Sequence, residues 1–83
     1  MVHVAYIGLG SNLGDRERTI ARAVELLRSA DGVQAVATSS LRETDPLGGP
    51  AGQPRYLNGA ARVETTLDPP ALMKLLLEIE RTL

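Results

Sequence analysis

Apolar positions follow two spacings along the chain. Residues 2–9 form a short, nearly continuous apolar run rich in β-branched side chains, the pattern of a central strand buried on both faces. Gly8, Gly10, Ser11, Asn12, Gly14 and Asp15 follow, a run that tolerates positive φ or bonds its own backbone and so predicts a tight strand-to-helix turn. The period then changes. Ile20, Ala23, Val24 and Leu27 fall at i, i+3, i+4 and i+7, predicting a helix over 15–30 with Arg18, Arg22 and Glu25 toward its other face. Asp31-Gly32 supplies the stop.

Residues 33–41 carry Val33, Val36, Thr38 and Leu41 and predict a second strand. Residues 42–55 hold three prolines and three glycines, which predicts a long irregular loop, a feature that is more often functional than idle in a small domain. Residues 56–66 alternate with period two. Leu57, Gly59, Ala61 and Val63 share one face, and Tyr56, Asn58, Ala60, Arg62 and Glu64 share the other. Asp68-Pro69-Pro70 opens a second helix, since Asp is a good N-cap and proline fits the first turn. Its apolar stripe is Leu72, Leu75, Leu76, Ile79 and Leu83.

The resulting order, β-α-β-β-α over residues 1–83, is a single α+β domain whose antiparallel or mixed sheet carries helices on one face. In the split β-α-β plan a further strand comes next and lies beside the first, so the expectation is an incomplete domain whose first-strand apolar edge is either left open or paired by something else.

Composition narrows the chemistry. Apolar residues make up 43% and charged residues 23% of the chain, as in an ordinary globular domain. Cysteine is absent and His3 is the single histidine, which excludes disulfides, thiol nucleophiles and multi-histidine metal sites. A net charge of −1 argues against a nucleic-acid platform. With no long apolar run and no signal-like start, the expected location is the cytoplasm, away from any membrane.

The glycine loop departs from dinucleotide-binding spacing, so a turn that caps the helix outweighs a cofactor reading. The long loop is more informative. In Thr44-Asp45-Pro46-Leu47-Gly48 proline fixes the backbone and leaves peptide groups pointing outward. Tyr56 and Asn58 lie side by side on one strand face, where Tyr offers a stacking surface and Asn an acceptor and donor in one plane. Taken alone, a capping Asn58 and a half-buried Tyr56 packed on Leu47 explain these residues more simply than a ligand does. Glu43 and Asp45 are the one carboxylate pair able to share a metal ion, because Glu78 and Glu80 point to different sides of a helix. Arg16, Arg18, Arg22 and Arg28 read as a solvated helix face.

Four segments in order (residues 6–15, 39–48, 53–60 and 76–80) resemble the N-terminal half of 6-hydroxymethyl-7,8-dihydropterin pyrophosphokinase, a transferase of folate biosynthesis. The resemblance covers nearly the whole chain. It implies a ferredoxin-like fold and transfer of pyrophosphate from ATP to the pterin hydroxymethyl group, with two Mg²⁺ ions bridging the phosphates. By position it implies that Thr44, Asp45 and Leu47 hold the pterin through backbone groups. Asn58 would bond the pterin edge, Tyr56 line the pocket, Asn12 support Asn58, and Glu80 lie on the nucleotide side. The chain departs from the family pattern at Asp45, where proline is common, and at Leu77, where a polar residue can contact nucleotide. The family's metal-binding Asp-x-Asp strand and basic catalytic loop correspond to sequence beyond residue 83, so no catalytic residue is expected here, nor kinase activity from this chain alone. Two other readings stay open: a non-catalytic pterin-binding or interaction module that dimerises through the first-strand edge, and an RNA-binding sheet presenting Tyr6 and Tyr56.

Overall fold

The computed structural model describes residues 1–11, 14–45, 52 and 55–83. Its elements are β1 (His3–Ser11), α1 (Arg16–Arg28), β2 (Val33–Thr38), β3 (Arg42–Thr44), β4 (Tyr56–Thr65) and α2 (Pro69–Thr82). Both helices start where the sequence predicts. The Asp15 carboxylate accepts from the Arg18 amide at 3.1 Å, and that of Asp68 accepts from the Ala71 amide at 2.9 Å. Each bond satisfies one of the orphan donors of a first turn.

All pairing is antiparallel and converges on β4. β1 runs along one edge of β4, from His3 opposite Thr65 to Ser11 opposite Leu57. The other edge of β4 is shared end to end, by β2 opposite residues 61–65 and by β3 opposite 56–58. β1 and β2, linked through α1, therefore run parallel with β4 between them.

Two expectations are corrected. Among the described residues β1 pairs with β4 alone, which leaves the open edge that the split plan predicts, but its apolar run does not mean burial on both faces: Val4 and Tyr6 stand 48% and 75% exposed. β4 takes the centre because it is the longest strand and pairs with all the others. Residues 42–44, expected to be irregular, form β3, while β2 stops at Thr38. Between them the chain steps along the edge of β4. Ser39 donates its amide to the Ala60 carbonyl, and its hydroxyl accepts from the Ala60 amide, both at 2.8 Å. Gly59 makes room for the step, since a Cβ there would stand 2.7 Å from a Leu41 methyl.

The core lies on one face of the sheet. Leu27, Ala61, Val63 and Ile79 form its buried centre, with Ile7, Leu9, Val36 and Leu75 packed around them. A bulge between Val33 and Ala35 lets Val33 and Val36 both join the core. Thr65, 1% exposed, donates its hydroxyl to the Gly32 carbonyl at 2.6 Å and accepts from the Leu67 amide at 3.0 Å. It thereby ties the turn after α1 to the end of β4. The opposite face of the sheet carries no helix among the described residues. No helix among the described residues is long and apolar enough to cross a membrane.

Candidate functional site

The open face of the sheet at the start of β4 gathers most of the residues singled out by the sequence. Tyr56 and Asn58 lie on that face because Leu57, the residue between them, is buried on the other. β3 sets Arg42 opposite Asn58 and Thr44 opposite Tyr56, and β1 sets Gly10 opposite Asn58 and Gly8 opposite Ala60. Gly8, Gly10 and Ala60 leave a flat floor beside the Tyr56–Asn58 pair.

The Asn58 side chain is held by one hydrogen bond and given room by a glycine. Its amide nitrogen donates to the Thr44 hydroxyl across the β3–β4 ladder. A Cβ on Gly10 would lie 3.1 Å from the Asn58 carbonyl oxygen, so glycine at that position gives the carboxamide its space. The amide thus lies over the sheet with acceptor and donor in a defined plane.

Asp45 continues from β3, and its carboxylate accepts from Arg55 Nε at 3.0 Å. Glu43 lies between α1 and Arg55. Arg16 donates to the Glu43 carboxylate and to the Arg55 carbonyl, each at 2.7 Å, and Arg55 approaches Glu43 at 3.7 Å. Arg16 is therefore not part of a merely solvated helix face. Glu43 and Asp45 do not behave as a metal pair either, since both are engaged by arginines. No group of three His, Asp or Glu side chains suited to a metal ion occurs among the described residues.

The Arg16 hydrogen bond, then Arg16's charge, hold the Glu43 carboxyl below its ordinary value of 4.5; Arg55 adds to this and desolvation opposes it. A carboxyl with a depressed folded value stabilises the protein in full above its unfolded value and loses that contribution as pH falls through the folded one. The thermal midpoint advantage of the parent over Glu43→Gln should therefore be present near pH 7 and shrink as pH falls below the ordinary value of 4.5. Parallel melting curves across that range check it; a gap that stays constant would refute it.

Glu80 is not brought to this group. It sits on α2, on the helix side of the sheet, along a groove of about 340 Å³ bounded by Leu9, Gly10, Ile20, Leu76 and Leu77. Asn12 and Leu47 lie outside the described residues. Tyr6 shares the open face but lies opposite Arg62, six residues along β4 from Tyr56, which is roughly 20 Å at strand rise. That spacing does not make a pair of adjacent base-stacking platforms. Sequence reading missed the Arg16–Glu43–Arg55 network; the opposite charges at the two ends of the loop, Glu43 and Asp45 against Arg55, were its one local trace.

Residues 6–83 match the family described as 7,8-dihydro-6-hydroxymethylpterin-pyrophosphokinase. The chain belongs to this pyrophosphokinase family. The match takes in the turn before α1, both flanks of the long loop, the Tyr56–Asn58 pair and all of α2. Among its relatives, the 2-amino-4-hydroxy-6-hydroxymethyldihydropteridine pyrophosphokinase of Bacillus subtilis is 43% identical over 83 residues, 100% of this chain and 49% of the relative. The enzyme of the same name from Pseudomonas aeruginosa is 40% identical over 80 residues, 96% of this chain and 49% of the relative. The mitochondrial folate synthesis bifunctional protein of Pisum sativum is 41% identical over 75 residues, 90% of this chain and 14% of the relative. The chain spans about half the length of the bacterial pyrophosphokinases it matches.

Proposed function

We propose that this chain is the pterin-recognising part of a pyrophosphokinase of folate biosynthesis, built on the ferredoxin-like plan in one domain over 1–83. The reaction is transfer of pyrophosphate from ATP to the hydroxymethyl oxygen of 6-hydroxymethyl-7,8-dihydropterin. The observation that carries the reading is the Asn58 carboxamide, fixed by Thr44 above a glycine floor beside Tyr56. A pterin presents a planar lactam–amine edge, and a carboxamide held in plane matches it with one acceptor and one donor. Tyr56 supplies the wall of the pocket, and the backbone of Thr44, Asp45 and Leu47 the remaining contacts. Asn12 supports Asn58. Glu80, in its groove on the far side of the sheet, is assigned to the nucleotide.

What these residues do is bind and orient the acceptor, the positional share of a reaction that depends on alignment and charge neutralisation. The described residues do not fit a Mg²⁺ site, because Glu43 and Asp45 are bonded to arginines. No step is therefore assigned to a metal here, and the ligands of the Mg²⁺ ions that the family implies are assigned outside this chain. The location that suits this role is the cytoplasm, with no part for nucleic acid or membrane.

The test is a fluorescence titration of the 83-residue chain with 6-hydroxymethylpterin, alongside an assay for AMP release from ATP. Saturable pterin binding without turnover is expected. Absence of binding defeats the pterin reading, and Mg²⁺- and pterin-dependent AMP release defeats the assignment of the metal ligands.

One observation favours a second, compatible role. The outer edge of β1 is unpaired among the described residues, and Val4 and Tyr6 are exposed beside it. An open edge of this kind accepts another strand, and a second copy of the chain would supply one. Sedimentation equilibrium decides it: a strict monomer at high concentration removes the dimer.

A further inference from the structure

Both ends of the long loop are held by a chain of alternating charges. Arg16, at the start of α1, meets Glu43 of β3 at 2.7 Å; Glu43 meets Arg55 at 3.7 Å; Arg55 meets Asp45 at 3.0 Å. Arg16 also donates to the Arg55 carbonyl at 2.7 Å. One guanidinium thus bonds to both flanks of the loop, and Asp45 and Arg55 join those flanks directly across ten positions of sequence. The site residues lie inside this frame. Thr44 sits between Glu43 and Asp45, and Arg55 immediately precedes Tyr56. Exposed ion pairs singly contribute little, but a network of them that closes a loop can do more.

We propose that Arg16, Glu43, Arg55 and Asp45 form an ionic clasp that positions residues 44–45 against Tyr56 and Asn58, so that affinity for an uncharged pterin depends on ionic strength. This rests on the pterin reading of the site. The four are positioning residues: their charges are spent on one another rather than on the ligand. A neutral ligand has no charge for salt to screen, so a salt effect on its binding reports on the protein's own pairs. Raising salt shortens the screening length from about 14 Å near 0.05 M to about 3 Å near 1 M, which weakens pairs as exposed as these.

The experiment is a fluorescence titration of the 83-residue chain with 6-hydroxymethylpterin at low and high NaCl. Affinity of the parent should fall about fivefold from roughly 0.05 M to roughly 1 M salt. Arg16→Gln should be weakened by a similar factor already at low salt and respond little to more. The charge-exchanged double variant, Arg16→Glu with Glu43→Arg, should recover affinity and salt response, which loss of mere packing would not allow. Parent affinity indifferent to salt, or Arg16→Gln binding as the parent does, overturns the clasp. Amide hydrogen exchange at Thr44, Asp45 and Arg55 gives a readout free of ligand: Arg16→Gln should speed it about tenfold, in proportion to the loop opening it permits. If the parent binds no pterin, the functional reading fails and exchange alone judges the clasp, with unchanged rates overturning it.

Discussion

Asn58→Ala should weaken binding of 6-hydroxymethylpterin by about 10- to 100-fold while leaving the fold in place. The carboxamide is the one side chain among the described site residues that presents an acceptor and a donor in a fixed plane on the open face of β4. Removing it leaves the ligand's edge desolvated and unpaired, which costs roughly 1–3 kcal/mol, and each 1.4 kcal/mol or so is a factor of ten. The fold should tolerate the change. Asn58 is only partly buried, its internal partner is the exposed Thr44 hydroxyl, and its strand neighbours Leu57 and Gly59 face the other way. Titration by pterin fluorescence with a parallel melting curve checks both halves. A dissociation constant within twofold of the parent would remove Asn58 from the site, and with it the observation on which the functional reading stands.

Leu27→Ala should lower the thermal midpoint by about 8–40 °C. Leu27 is 2% exposed and belongs to a core centre of four residues with Ala61, Val63 and Ile79. The chain has no Phe or Trp to spread the load. A buried Leu→Ala change costs roughly 2–5 kcal/mol including the cavity it leaves, against a total of roughly 4–12 kcal/mol for a domain of this size. Each kcal/mol moves the midpoint by about 4–8 °C at this length. The contrasting control is Leu77→Ala on α2: Leu77 is 46% exposed, so its loss should shift stability by no more than about 0.5 kcal/mol. Equal effects of the two substitutions would mean that the core is not centred where α1 meets β4.

Local physics was legible in the sequence wherever neighbours in the chain decide the structure. Asp15 and Asp68 cap their helices because an N-cap bonds an amide three residues away. The alternation through Leu57, Ala61 and Val63 marked the buried face of β4, because side-chain direction along a strand has period two. The pairing of Tyr56 with Asn58 followed from the same rule. The bulge that lets Val33 and Val36 share the core did not, since it depends on how β2 meets β4. Nor did β3: three residues carry too little pattern to announce a strand, and they become one by pairing with residues 56–58.

The sequence by itself determined the two helices, the capped turns, the apolar stripe of each element and the residue types that suit a flat, amide-like ligand, all of which rest on contacts a few residues long. Tertiary structure alone decided that β4, not β1, lies at the centre, that Thr44 holds Asn58, and that Arg16 meets Glu43 across 27 positions and Arg55 across 39. An apolar run has the same composition on an edge as in the middle of a sheet, and a charge carries no mark of its distant partner. Those choices are made only when the whole chain closes on its core and each polar group finds what lies beside it.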